Sequence, residues 1–313
     1  MNYAKKCDRM VNGKLCGLSA ELKNRFPDAA IEENFSLARH TTIGCGGCAA
    51  VCIEPANERG AEAVLRYLHR NAVPYYILGA GANVLPSDER FEGVAVRFRA
   101  LRKIVRVGDC IETGAGVTGG SLLRFARGEE LGGLEPFTGI PMTVGGGITM
   151  NAGIAVRHFS DVVEEVLAVR EGELIVLRAK DCGFSEKYSV FQNKIAVLGA
   201  RLRLTPSAVQ SIERESCYFR TRRAHLPKGR SMGCTFVNPE GISAGALIEA
   251  CGLKGMREGK AFVSERHANF IINEGQCAAD VARLIQKIKQ TVYKEKGVSL
   301  REEIRRIPPQ PIT

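Results

Sequence analysis

Three glycine-dense turns are the first places where residue type and spacing could do chemistry. Ile77-Leu78-Gly79-Ala80-Gly81-Ala82-Asn83-Val84-Leu85 sets two glycines directly after an apolar, strand-like run. Glycine there lets the backbone approach a phosphate, and consecutive N–H groups can cradle it. Gly114-Ala115-Gly116-Val117 is the second turn, and Thr138-Gly139-Ile140-Pro141 through Thr143-Val144-Gly145-Gly146-Gly147 to Asn151-Ala152-Gly153 is the third. Three adjacent glycines between apolar residues are costly in conformational entropy, which points to a backbone that must come close to a large planar or phosphorylated ligand. None of the three is a Walker loop or a full G-x-G-x-x-G fingerprint, and each alone fits a plain tight turn. Taken together they favour a dinucleotide-type ligand.

Other clusters invite different chemistry. Cys45-x-x-Cys48-x-x-x-Cys52 has the spacing of metal or iron–sulfur ligands, and Cys7 and Cys16 are available to complete such a site. The competing reading is a set of small buried hydrophobes, and that is the expectation adopted here: no metal. His40, His158 and His267 lack the spacing of a zinc site. Arg222, Arg223, Lys228 and Arg230 form a basic run that fits either a ligand pyrophosphate or a solvated face.

The elements that must position these residues read clearly in outline. The 313-residue length accommodates two or three lobes with a sizeable core. A helix is expected within Glu21 to Glu33, then strand, helix and strand over Val51–Ile53, Asn57–Asn71 and Tyr75–Leu78. A strand-rich middle follows, over Val94–Phe98, Ile104–Val107, Cys110–Thr113, Val166–Arg170, Glu173–Leu177 and Ala196–Leu204, with a helix at Ser121–Gly128. From Pro206 the composition shifts to a third, α+β lobe with helices at Val209–Arg223, Ala244–Cys251 and Ala278–Lys296 and strands at Phe262-Val263 and Asn269–Ile272. The Pro-rich tail after Arg306 reads as loose.

Bulk properties narrow the function classes. No run approaches the ~18 apolar residues of a membrane span, and Met1 to Lys23 lacks the apolar region of a signal peptide, so a cytoplasmic protein without a membrane partner is expected. Eleven cysteines in such a chain read as reduced thiols rather than a disulfide framework. The net charge of +10 calls for anionic partners, but the basic residues are dispersed and aromatics make up only 6% with no Trp. A nucleic-acid surface is therefore not expected, and phosphorylated small molecules suit the charge better.

The order of the motifs carries more than any one of them. His40-Thr41-Thr42-Ile43 with Gly46-Gly47, the Leu78–Leu85 turn, Gly114–Val117, Gly139-Ile140-Pro141 through Asn151-Ala152-Gly153, then Gly233-Cys234-Thr235-Phe236-Val237-Asn238-Pro239, Gly252-Leu253-Lys254-Gly255, His267-Ala268, Phe270–Asn273 and Leu300-Arg301-Glu302-Glu303-Ile304 resemble the UDP-N-acetylenolpyruvoylglucosamine reductase family across roughly residues 34 to 307. The resemblance implies an α+β fold: a two-lobed FAD-binding domain of the vanillyl-alcohol-oxidase (PCMH) type plus a C-terminal α+β substrate lobe, in the shorter of the family's two architectures. The expected division is an N-terminal helical segment (1–33), FAD lobes at 34–98 and 99–206, and a substrate lobe at 207–313. It further implies FAD and NADPH as cofactors and a UDP-sugar substrate. The activity would be reduction of UDP-N-acetylglucosamine enolpyruvate to UDP-N-acetylmuramate for peptidoglycan precursors, by a monomer.

Site residues follow from the same resemblance. Gly79, Ala80, Gly81, Ala82, Asn83, Thr143, Gly145, Gly146, Asn151 and Gly153 would contact FAD. Glu303 matches the family's catalytic glutamate. Cys234 stands where a serine usually donates a proton, and a protonated thiol can do the same. Lys187 stands in place of an arginine and keeps its charge without the bidentate fork. Asn238 and Lys254 in these motifs, with Arg222 and Arg230 from the basic run, are the expected substrate contacts. The chain departs from the family at Val237 (usually Lys), at Ile154-Ala155-Val156 (often Ala-Tyr-Gly) and at Gly44 (often basic). Those departures leave two alternatives open: an FAD oxidoreductase of the same superfamily with another substrate, or a non-catalytic flavin-binding homologue.

Overall fold

The computed structural model describes residues 17–308 apart from 155 and 156, so Cys7, Cys16, Ala155, Val156 and the chain after Pro308 lie outside the described residues. Helix α1 (Leu18–Arg25) buries Leu18 and Leu22 and ends at Phe26. The helix expected within Glu21 to Glu33 is therefore shorter, because Ala30–Ser36 is strand β1, paired antiparallel with β2 (Cys48–Glu54) from Ala30↔Glu54 to Ser36↔Cys48. Strand β1 faces solvent over most of its length, so it lacks the apolar alternation that marks a strand in sequence. A lobe boundary at residue 33 would cut it in two.

The first lobe is a four-stranded sheet in the order β1-β2-β5-β3. Helix α2 (Glu58–Arg70) connects β2 to β3 (Tyr75–Ile77), and β4 (Val84–Pro86) leads to β5 (Phe91–Val96), which runs parallel to both β2 and β3. Asn57 starts α2 by accepting a 2.9 Å hydrogen bond from Gly60 N, which satisfies one of the first-turn amides. Ala61, Val64, Leu65 and Leu68 then repeat at helical spacing and are buried against the sheet.

The second lobe is an antiparallel sheet ordered β12-β11-β13-β7-β6, from β6 (Ile104–Val107), β7 (Cys110–Gly114), β11 (Val163–Arg170), β12 (Glu173–Arg178) and β13 (Ile195–Arg203). Between β7 and β11 lie helix α3 (Gly119–Gly128), the short strand β8 (Leu131–Gly132), helix α4 (Val144–Thr149) and the hairpin β9 (Gly153–Ile154) and β10 (Arg157–His158). The first two lobes share one hydrophobic core.

After β14 (Thr205–Pro206), the third lobe has helix α5 (Val209–Arg223), helix α6 (Ala244–Ala250), a small sheet of β15 (Arg257–Glu258), β16 (Ala261–Val263) and β17 (Ile271–Asn273), and the long helix α7 (Ala278–Lys296). Val281, Leu284, Ile285, Ile288 and Val292 on α7 are fully buried, each contributing roughly 1.5–3 kcal/mol. No helix among the described residues is long and apolar enough to cross a membrane.

Two of the ties between the third lobe and the first are a strand pairing and a helix cap. Strand β18 (Arg305–Ile307) pairs parallel with β4, Arg305↔Val84 through Ile307↔Pro86, and only Ile307 of it falls in the tail that the sequence pattern treats as loose. In the other tie Asp88, in the first lobe, caps α7: Oδ1 accepts from Ala278 N at 2.7 Å and Oδ2 from Ala279 N at 2.9 Å. A carboxylate at a helix N-terminus meets both orphan amides and the dipole. Asp88→Ala is expected to lower stability by about 1–2 kcal/mol, read as an earlier urea midpoint; an unchanged midpoint would mean that the clamp contributes nothing.

The three clustered cysteines do not converge. Cys45 packs into the core of the third lobe, and Cys52 into the small core on the far face of the first sheet. Burial pushes both thiols up to about 12, and among the described residues no group of three or more metal-ligating side chains forms. All nine described cysteines are free thiols.

Candidate active site

The Gly79–Asn83 turn leaves β3 and returns as β4. Among the described residues, none of its five backbone N–H groups donates to a protein acceptor. Its carbonyls, by contrast, are used: Gly81 O accepts from Thr42 N at 3.0 Å and Asn83 O from Arg305 N at 2.9 Å. Five consecutive unclaimed donors on a glycine turn suit the pyrophosphate of a dinucleotide. Gly81 adopts φ +68, and a Cβ there would lie 2.1 Å from His40 O. His40 is itself fixed, stacked on Phe35 and bonded through Nδ1 to Ser36 O at 2.8 Å. Gly81→Ala therefore forces the turn off His40, and the variant is expected to purify with little or no flavin, read as loss of visible absorbance; a fully yellow variant would contradict this.

The triple glycine is not a loop but the helix α4. Thr143 opens it, Oγ1 accepting from Gly146 N at 3.3 Å. A Cβ on Gly145 would lie 2.9 Å from Ala115 Cβ, one on Gly147 would lie 2.5 Å from the Phe159 ring, and one on Gly79 would lie 2.7 Å from Thr143 Oγ1. These glycines let the three turns pack on one another. Gly146 keeps the most room, with only Thr143 Oγ1 close by, at 3.3 Å from a built Cβ. Asn151, at φ +41, holds the next turn: Nδ2 donates to Ser185 O at 3.0 Å and Oδ1 accepts from Ser160 N at 2.9 Å.

Lys187, Cys234 and Glu303 arrive from two lobes and meet. Lys187 follows the Asn151-held turn at φ +56; its Nζ donates to Gly153 O at 3.0 Å and lies 3.6 Å from Glu303 Oε1. Glu303 N donates to Thr235 O at 2.9 Å, which sets Glu303 beside Cys234. Asn83 Nδ2 donates to Glu303 O at 3.1 Å, joining the unclaimed turn to the same place. Asn269 braces the Cys234 segment, donating from Nδ2 to Phe236 O at 2.8 Å and accepting from Phe236 N at 2.9 Å. His267 Nδ1 in turn accepts from Asn269 N at 3.3 Å. His40 and His267 are thus supports.

The electrostatics define roles. Burial, then the Glu303 carboxylate, pushes the Cys234 thiol up to about 12, opposed by Lys187 and Arg223. The thiol therefore stays protonated at neutral pH and can donate. Burial also pushes the Glu303 carboxyl up, while Lys187 pulls it back.

Three of the four expected substrate contacts are held by local partners. Asn238 Oδ1 accepts from Ala244 N at 3.0 Å, Lys254 Nζ pairs with Glu249 at 2.6 Å, and Arg222 Nη1 donates to Tyr218 Oη at 3.0 Å. Arg230 lies over Gly44, where a Cβ would fall 2.5 Å from its Cδ. A basic side chain thus occupies the space opened by the glycine at 44. The sequence did not single out Gln192 or Arg305. Arg305 Nη1 donates to Gln192 Oε1 at 2.9 Å, and Gln192 Nε2 donates to Lys187 O at 2.8 Å, so this pair fixes the Lys187 backbone. Arg223 stands in the basic run, with no sequence signal separating it from its neighbours.

Unclaimed backbone donors on a glycine turn, a protonated thiol and a paired buried carboxylate fit an oxidoreductase with a dinucleotide cofactor. Residues 49–177 match the FAD binding domain, and residues 225–307 match the C-terminal domain of UDP-N-acetylenolpyruvoylglucosamine reductase. The UDP-N-acetylenolpyruvoylglucosamine reductase of Carboxydothermus hydrogenoformans is 38% identical over 293 residues, covering 92% of this chain and 97% of the relative. That of Moorella thermoacetica is 38% identical over 294 residues, covering 93% and 97%. The crystal structure of the reductase from Thermus caldophilus superposes with a TM-score of 0.78 at 32% identity, over 89% of this chain and 99% of that one. The chain belongs to the UDP-N-acetylenolpyruvoylglucosamine reductase family.

Proposed function

We propose that this chain is an FAD-dependent reductase that uses NADPH to convert UDP-N-acetylglucosamine enolpyruvate to UDP-N-acetylmuramate, a step in making peptidoglycan precursors. The observation that carries the reading is the meeting of Lys187, Cys234 and Glu303 beside the unclaimed Gly79–Asn83 donors. The unclaimed amides of residues 79–83 would hold the FAD pyrophosphate, with the α4 glycines and the Asn151–Gly153 turn as further contacts. When bound, FAD supplies the hydride chemistry between NADPH and the sugar nucleotide.

The chain's own residues supply the rest. Reduction of an enolpyruvyl ether leaves negative charge on the carbon beside the carboxylate, and that carbon must be protonated. Cys234 Sγ holds a proton for it, kept there by burial and by Glu303. Lys187 presents a positive charge to the substrate carboxylate as charge builds, an arrangement that lowers the barrier only if it is already in place. Its backbone is pinned through Gln192 and Arg305, and its ammonium by Gly153 O. Asn238, Lys254, Arg222 and Arg230 remain our assignment for contacts along the sugar nucleotide, the first three leaving their present partners to do so.

We place the protein in the cytoplasm, where NADPH and nucleotide sugars are made and where free thiols persist, and we assign it as a monomer because one chain provides every residue of the site. The test is an anaerobic spectrum. The yellow protein should bleach with NADPH and regain its colour on adding the enolpyruvyl sugar nucleotide. A bound flavin that this substrate fails to reoxidise would overturn the assignment and favour another acceptor.

A further inference from the structure

We propose that Thr42 is a positioning residue for the reduction of the sugar nucleotide: its hydroxyl ties the Gly79–Asn83 turn to the segment that carries Cys234, and so sets where the thiol stands relative to the cofactor. The assignment rests on the reductase reading above.

Thr42 has one contact on each side. Its backbone N–H donates to Gly81 O at 3.0 Å, and its Oγ1 donates to Ser231 O at 2.6 Å. Ser231 stands three residues before Cys234. A single residue thus joins the turn assigned to the FAD pyrophosphate with the third lobe, across 189 positions of sequence. Gly81 O also lies 3.4 Å from Oγ1, but a hydroxyl has one proton to give, and the shorter contact claims it.

Neither end has slack. On the cofactor side, a Cβ at Gly81 would lie 2.1 Å from His40 O and 2.9 Å from Thr41 Cα, so the turn rests directly on the segment that leads into Thr42. Thr41 is itself held, Oγ1 donating to Leu37 O at 2.9 Å. On the other side, Met232 is buried in the core of the third lobe and Cys234 bridges to Phe270. Asn273 closes the junction: Nδ2 donates to Ile43 O at 3.0 Å, and its backbone N–H donates to Arg230 O at 2.9 Å. Residues 42–43 and 230–231 are thereby held side by side.

The place of this junction gives the bond a role in catalysis. The Cys234 thiol must reach one carbon of a substrate whose neighbouring carbon faces the cofactor, and a misplacement of about 1 Å can cost on the order of 100-fold. Thr42 itself is exposed, so replacing it tests the bond and not the fold.

Thr42→Val removes the donor at nearly constant shape, and Thr42→Ser keeps it. In the valine holoenzyme, flavin content should stay at the parent level and NADPH should reduce the flavin at close to the parent rate. Reoxidation by saturating enolpyruvyl sugar nucleotide should slow about 10-fold, the scale of one lost hydrogen bond, as a loss in kcat and not in KM. Serine should restore it. Added to Cys234→Ala, Thr42→Val should cost nothing further, because it acts through the thiol. Amide exchange across residues 229–236 gives a readout independent of turnover, faster in the valine variant and parental in the serine one. Reoxidation at the parent rate, equal slowing of both half-reactions, a serine variant no better than valine, a further loss beside Cys234→Ala, or unchanged exchange would each overturn the proposal. A parent flavin that this substrate does not reoxidise sinks the reductase reading itself.

Discussion

Replacing Cys234 with alanine is expected to leave flavin reduction by NADPH fast and to slow reoxidation by the enolpyruvyl sugar nucleotide by about 10²- to 10⁴-fold, the range of a positioned general acid. The thiol sits one residue from Thr235, whose carbonyl accepts from Glu303 N, and burial with the Glu303 charge pushes it up to about 12. Its donor form is therefore full throughout the neutral range, and only above that value would the proton be lost. The rate of reoxidation should show no limb from this group between about pH 6 and 9, because a raised pKa keeps the proton on as pH increases. Cys234→Ser restores a donor of similar size and should recover most of the rate, which a purely structural role would not require. Rapid-mixing spectroscopy of the two half-reactions decides it: reoxidation of Cys234→Ala at the parent rate would remove Cys234 from the chemistry.

How far the sequence leads depends on whether the forces are local. Helices α5 and α7 are found with the bounds their periodicity predicts, because an apolar stripe or a charged face repeats over four or more turns. Strand β13 is legible as an apolar run since both faces are covered over most of its length. Strand β1 is not, because five of its seven residues have little to bury and only pairing with β2 makes them a strand. Helix α4 contradicts the low helix propensity of glycine; Gly145 and Gly147 are accepted because Ala115 and Phe159 leave no room for a side chain. Strand β18 is three residues long, and its partner β4 lies more than 200 residues earlier, so no local signal exists.

The site shows the same division. Glu303, Cys234 and Lys187 were readable only as members of an ordered motif set, and nothing local tells their surroundings from a helix end, an inert thiol or a surface charge. What the structure adds is the support: Gln192 and Arg305 beneath Lys187, Asn269 behind Cys234, and Asn83 against Glu303. Each of those contacts joins residues distant in sequence, and amide or guanidinium side chains carry no spacing signal of their own.

Lys187→Met is expected to lower kcat/KM for the enolpyruvyl sugar nucleotide by about 10²- to 10³-fold, the consequence of losing roughly 3–4 kcal/mol of charge stabilisation. The ammonium lies 3.6 Å from Glu303 Oε1, and both side chains are mostly covered, at 20% and 16% exposure. Removing it takes away the positive charge offered to the substrate carboxylate and also leaves Glu303 without its cation. Burial already pushes the Glu303 carboxyl up and Lys187 restrains it, so in the variant it rises further. A carboxyl raised on folding keeps its proton in the native state at pH values where the unfolded chain has released it. Its linkage therefore favours folding below the unfolded carboxylate value and is lost as pH rises. The urea midpoint of Lys187→Met should consequently fall more between pH 5 and pH 8 than that of the parent. Lys187→Arg keeps the charge and should retain most of the activity. Methionine matching the parent in both kcat/KM and pH dependence would show that Lys187 neither meets the substrate nor governs Glu303. Loss of activity without the altered pH dependence would keep the contact with the carboxylate and discard the coupling to Glu303.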